Sequence, residues 1–146
     1  MTPQNAPFSQ AEYDRRIALT RAAMAKAGLD AIFVTDPSNQ AWLTGYDGWS
    51  FYVHQGVILT MTGEPHWWGR HMDSLGALRT CWIAPPSIHG YSDSYVQSTV
   101  RHPMQDLARI LRDMGLEQAR VGVEMENYYY SAKAHAVLGA ELLEFT

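Results

Sequence analysis

A single cysteine, Cys81, rules out any disulfide within the chain and fits a reducing compartment. Flanked by Trp82 and Ile83, it reads as a small buried apolar residue and not as a nucleophile. Long apolar runs are also missing: the longest are a few residues, against the roughly 20 needed to span a bilayer. The opening MTPQNAPFSQ has neither the charged head nor the apolar stretch of a signal peptide, so the cytoplasm is the expected location. The eleven lysines and arginines are scattered, and the net charge is -4, which leaves no basic stripe for nucleic acid.

Several kinds of catalytic signature are absent as well. Gly45-x-x-Gly48 neither follows a clear strand nor opens a long helix, so it is no dinucleotide fingerprint. No G-x-S-x-G elbow occurs, which disfavours serine hydrolase chemistry. The six histidines are wrongly spaced for a compact metal cage: His66 and His71 are five apart, where H-E-x-x-H sets two imidazoles on one helical face. Glu124 and Glu126, with His135 one helix later, read as solvated carboxylates at a strand end. Asp36 and Asp73 read as turn and N-cap residues. No catalytic or metal-ligating residue is expected in this chain.

What is present suits one ordered domain. Of the 146 residues 47% are hydrophobic and 18% charged, and a chain of this length can bury about 68–70% of its unfolded surface. Ser9-Gln10-Ala11-Glu12 is a capping box that starts a helix running to Ala27, with Tyr13, Ile17 and Met24 inward and Arg15, Arg16 and Lys26 in solvent. Gly28 stops it. Strands are expected at 31–35, at 52–61 and 65–69 as a hairpin, at 81–84, at 120–125 and at 141–145. Helices are expected as one turn at 39–43, from an Asp73 cap to Arg79, at 103–114 and at 131–138. The order indicates an α/β fold with a mixed sheet flanked by helices. The chain ends in or just after the last of these strands, as a segment of something longer would.

One stretch stands apart. Thr44 to Gly56 reads TGYDGWSFYVHQG, with five aromatic or imidazole rings, and the hairpin that follows carries Trp67, Trp68, Arg70 and His71. Such rings could be core, or rigid walls for a ligand whose carboxylate a nearby arginine holds. Trp67 and Trp68 are adjacent, so in a strand they face opposite sides. One is expected in the core and the other toward solvent, a partner or a ligand.

The capped helix followed by GLDAIFVTDPSNQAWLTGY resembles the N-terminal domain of the creatinase/prolidase family, across residues 9–146, with Arg70 matching the arginine that closes the family's hairpin. The resemblance implies a ribonuclease H-like motif after a flexible N-terminus at 1–8. It also implies that catalysis, and any divalent metal, belongs to a C-terminal domain absent from these residues. GYDGWSFYVHQG and WWGRHMDSLGALRTCW are most similar to the family's ectoine-hydrolysing members. A substrate-touching aromatic of the creatinases falls on His54, and a creatinase arginine falls on Gly56, a departure from guanidino-acid specificity. The resemblance thus implies a domain that covers a small-molecule substrate, ectoine or a dipeptide, in a homodimer. Trp49, Tyr52 and His54 would wall the substrate, and Arg70 or His71 would favour its carboxylate. The alternatives are the same domain of an Xaa-Pro dipeptidase or aminopeptidase, and a stand-alone dimerisation module using the exposed tryptophan.

Overall fold

The computed structural model describes residues 6–142. Ser9 caps α1 (Gln10–Ala27), its side chain accepting from the Glu12 amide, and Gly28 ends the helix at φ 68°. Only half of the capping box forms, because the Glu12 carboxylate turns to Arg15 and Arg16 at 2.8 and 2.9 Å. Arg16 departs from the solvent position that the helical pattern assigns to it. It is buried, with its guanidinium 4.0 Å from the centre of the Phe8 ring and 4.5 Å from that of Trp42. A flat, weakly hydrated cation between two rings can leave water where an ammonium would not.

Five strands follow: β1 (Ala31–Val34), β2 (Gly56–Thr60), β3 (His66–Arg70), β4 (Ile88–Tyr91) and β5 (Val121–Val123). They lie in the order β4-β3-β2-β1-β5, with β1–β2 and β2–β3 antiparallel and β3–β4 and β1–β5 parallel. The mixed sheet is as expected. Helices α1, α2 (Pro37–Thr44) and α3 (His71–Thr80) pack on one face, and α4 (Pro103–Asp113) and α5 (Ala132–Glu141) on the other. Among the described residues no helix is long and apolar enough to cross a membrane.

This two-sided cover corrects the reading of the tryptophan pair. Both are fully buried: Trp67 packs with Val57, Leu59 and Ala77, and Trp68 with Phe33, Ile58 and Leu107. Alternation does send them to opposite faces, but both faces are core, so neither ring is left for a partner. Each such burial contributes about 1.5–3 kcal/mol. The Trp68 indole also donates to Asp106 at 2.9 Å.

Other boundaries shift for local reasons. Asp36 caps α2, accepting from the Ser38 amide at 2.7 Å, and the helix runs two turns instead of one before Gly45 ends it. Residues 52–55 are loop, and β2 begins only at Gly56. Asp73 does not cap α3; it lies inside the first turn and binds Arg70. Cys81–Ala84 is not a strand: Trp82 instead ties to α2, donating from its amide to the Thr44 carbonyl and from its indole to that of Leu43. The strand of this region is β4, which sequence reading misses. Glu141 ends α5, and the rest of the strand expected at 141–145 is outside the described residues apart from Leu142, which is irregular.

Glu124 is not a solvated carboxylate. It accepts from the Thr35 and Asp36 amides at 2.6 and 2.8 Å and from the Asn39 side chain. The end of β5 is thereby fastened to the start of α2.

Candidate functional site

Parallel strands β3 and β4 end side by side, with Arg70 opposite Tyr91. Crevices beyond the carboxyl ends of parallel strands are where open α/β sheets hold ligands. Here the crevice is a cavity of about 420 Å³. The 52–54 loop forms one wall, Arg70 and Tyr91 the floor, and the segment 95–103 leading into α4 the other wall.

The structure brings together three of the five residues singled out in the sequence: Tyr52, His54 and Arg70 all line the cavity. Trp49 does not. It is 84% exposed and packs on Phe51. His71, the first residue of α3, is exposed and also stands outside the lining. A second hollow of about 320 Å³ opens on the far side of the same loop, between Phe51, Tyr52, His54 and Tyr129. The loop 51–54 is therefore a partition with a ligand-sized space on either side.

Each lining group is held by a specific partner. The Tyr91 hydroxyl donates to the His54 carbonyl at 2.7 Å, which pins the loop to the sheet. Burial, together with the His102 ring 4.8 Å away, pushes the His54 pKa down to about 4, so near neutral pH it offers an uncharged ring. His102 caps α4: its Nδ1 accepts from the Met104 amide at 3.1 Å, and Gln105 accepts from the His102 amide at 2.9 Å. Burial, then Lys133, lowers its pKa too. With Nδ1 accepting, neutral His102 carries its proton on Nε2.

Arg70 is only 15% exposed at its side chain and forms a close pair with Asp73, Nε to Oδ2 at 2.8 Å. Those hydrogen bonds raise its pKa further and keep it charged. Its Nη2 also reaches the Tyr52 hydroxyl at 3.4 Å. Tyr52 itself is 70% exposed at the mouth.

Sequence reasoning missed Tyr91, Tyr95, Gln97, Ser98, Arg101 and His102, which supply the rest of the polar lining. A clue was available in the run YSDSYVQSTVRHP, where aromatic and basic residues crowd the approach to a helix with proline at its first turn. The left-handed conformation of Gln97, at φ 52°, which shapes this approach, was not readable.

Fold and site together define a small α/β domain with an open cavity at the ends of β3 and β4. Among the described residues, no group of three or more His, Cys, Asp or Glu side chains converges as a metal site. The chain belongs to the creatinase/prolidase N-terminal domain family, which matches residues 16–146. It is 56% identical over 137 residues to the ectoine hydrolase of Halomonas elongata, covering 93% of this chain and 34% of that protein. An uncharacterised hydrolase/peptidase of Sinorhizobium fredii is 39% identical, with 90% of this chain and 34% of that protein covered. The chain spans about a third of the length of these relatives.

Among solved structures, the N-terminal domain of an Xaa-Pro dipeptidase from Lactobacillus brevis has a TM-score of 0.72 at 14% identity, covering 90% of each chain. A proline dipeptidase from Streptococcus pneumoniae has 0.68 at 21%, covering 88% of this chain and 87% of the other. At such identities the likeness concerns the fold alone.

Proposed function

We propose that this chain is the substrate-covering N-terminal domain of a creatinase/prolidase-type C–N hydrolase, and that the substrate is ectoine, a cyclic amidine bearing a carboxylate. The cavity at the ends of β3 and β4 carries the reading. Its volume of about 420 Å³ suits a small molecule, and its walls include the loop expected to touch substrate. The 56% identity to an ectoine hydrolase supports the choice of substrate.

The described residues of this chain do not fit a metal cage, and no step of the chemistry is assigned to them. Bond cleavage, with any divalent ion it uses, belongs to the hydrolase domain. The role of this chain is to bind, orient and shield. Tyr52 and neutral His54 lay a flat wall against the ring, and closing the mouth removes water, which strengthens every polar contact inside. The exposed rings of Trp49, which packs on Phe51, and of Tyr128, which lines the second hollow, would be covered by the hydrolase domain, one's own or that of a second subunit in a homodimer. The single buried cysteine accords with a cytoplasmic enzyme.

The full-length enzyme tests this. His54→Ala and Tyr52→Ala should each lower kcat/KM for ectoine by roughly tenfold or more, with the melting temperature little changed for the exposed Tyr52. Unchanged kinetics in both would remove the assignment. Turnover of Gly-Pro in place of ectoine would move the protein to the Xaa-Pro dipeptidases.

A further inference from the structure

Two arginines face the cavity, and they are not equivalent. Arg70 is committed: Asp73 neutralises it at 2.8 Å, and its remaining reach goes to Tyr52. Arg101 has no such partner. Among the described residues no carboxylate lies within ion-pair distance of it. Its contacts are the Ser94 hydroxyl at 3.3 Å and the face of Tyr95, 5.3 Å from guanidinium to ring centre. The backbone beneath it is organised, since the Ser98 hydroxyl accepts from the Val100 and Arg101 amides at 3.2 Å each.

No aspartate or glutamate lines the cavity. The hydroxyls of Tyr52 and Tyr95 and the Nε2 proton of His102 add donors without opposing charge. With Arg70 paired to Asp73, Arg101 is the charged side chain of the lining that has no carboxylate in ion-pair contact. A planar guanidinium with free donors is matched to a carboxylate, which it can hold bidentately.

We propose that Arg101 is the residue that recognises the substrate's carboxylate, and that Arg70 is a positioning residue that holds Tyr52 in the wall. The inference rests on the reading of this cavity as the substrate site and assigns the polar end of that site. It replaces Arg70 and His71 in the role that family resemblance suggests for them. The two assignments differ in what they predict for a substrate stripped of charge.

The experiment uses the full-length enzyme with ectoine and with its carboxamide analogue, in which the carboxylate is replaced by a neutral amide. Arg101→Gln should lower kcat/KM for ectoine by roughly ten- to a hundredfold, as expected for loss of a charged hydrogen bond, while changing the carboxamide less than about threefold. Arg101→Lys should restore part of the preference for ectoine. Arg70→Gln should lower both compounds together, through the displaced Tyr52. Equal losses for both compounds in Arg101→Gln, no loss in either, or a preference abolished by Arg70→Gln alone would overturn the proposal. Calorimetric titration with acetate separates this from the choice of substrate. Acetate binding that vanishes in Arg101→Gln upholds the anion site even if ectoine is not turned over, and binding retained in that variant refutes it.

Discussion

The Glu124 carboxylate takes hydrogen bonds from two backbone amides, Thr35 and Asp36, and from the Asn39 side chain. Its removal leaves those amides without an acceptor inside a partly buried junction, where each unsatisfied group costs about 1–3 kcal/mol. Glu124→Ala should therefore lower unfolding free energy by about 2–4 kcal/mol, measured by urea titration, whereas an alanine at exposed Glu126 should change it little. A carboxylate that anchors residues almost ninety positions away has no local signature. Asp36, two residues before Ser38 and followed by proline, does have one, and its cap was legible for that reason. Arg16 shows the same division: helical spacing gives its angle on α1, but only the arrival of Trp42 from α2 and Phe8 from the preceding segment makes its burial favourable.

At the scale of elements, the long helices and their stops were readable because capping is local. Ser9, Gly28, Pro103 and Ser131 mark the ends of α1, α4 and α5 much as read. The helix α4 has an added dependence on the site, since its N-cap is His102, a wall of the cavity. His102→Ala should cost about 1 kcal/mol of stability, as cap removal generally does, and His102→Asn should recover most of it, read from thermal melts of the two variants. Equal losses in both would mean that the ring's packing on His54, and not its acceptor, matters. The strand β4 went unread because IHGY is too short and too polar to show a period, and its strand state depends on pairing with β3. The apolar run at 81–84 looked more like a strand, yet its hydrophobicity serves packing against α1 and α2.

Across the whole molecule, four partly buried histidines share one direction of shift. Burial lowers the pKa of His54, His66, His89 and His102; His102 adds to the effect at His54, and His66 to that at His89, whose ring nitrogens meet at 2.9 Å. In the unfolded chain these rings take up protons near pH 6.5, while in the folded chain they resist until lower pH, about 4 for His54. The unfolded state therefore binds protons first. Stability is fully present above about pH 6.5 and falls as the pH drops from there toward 4. The melting temperature followed across that window should decline steadily, and replacing His54 by Gln should flatten part of the decline. A melting temperature independent of pH between 6.5 and 4 would contradict the burial of these rings.

Composition, caps and periodicity alone determined that the chain is an α/β domain with a mixed sheet and where most helices begin and end. These are properties of near neighbours along the chain, and short-range sterics and hydrogen bonding settle them. The tertiary structure alone decided that both tryptophans of the hairpin are core, that Tyr52, His54 and Arg70 share a cavity while Trp49 and His71 do not, and that of the two arginines lining that cavity Arg70 has a carboxylate partner and Arg101 has none among the described residues. Each of those outcomes depends on which distant segment covers a face or brings a carboxylate within a few ångströms. Burial and Coulomb energies are set by such approaches in space, and separation in sequence does not encode them.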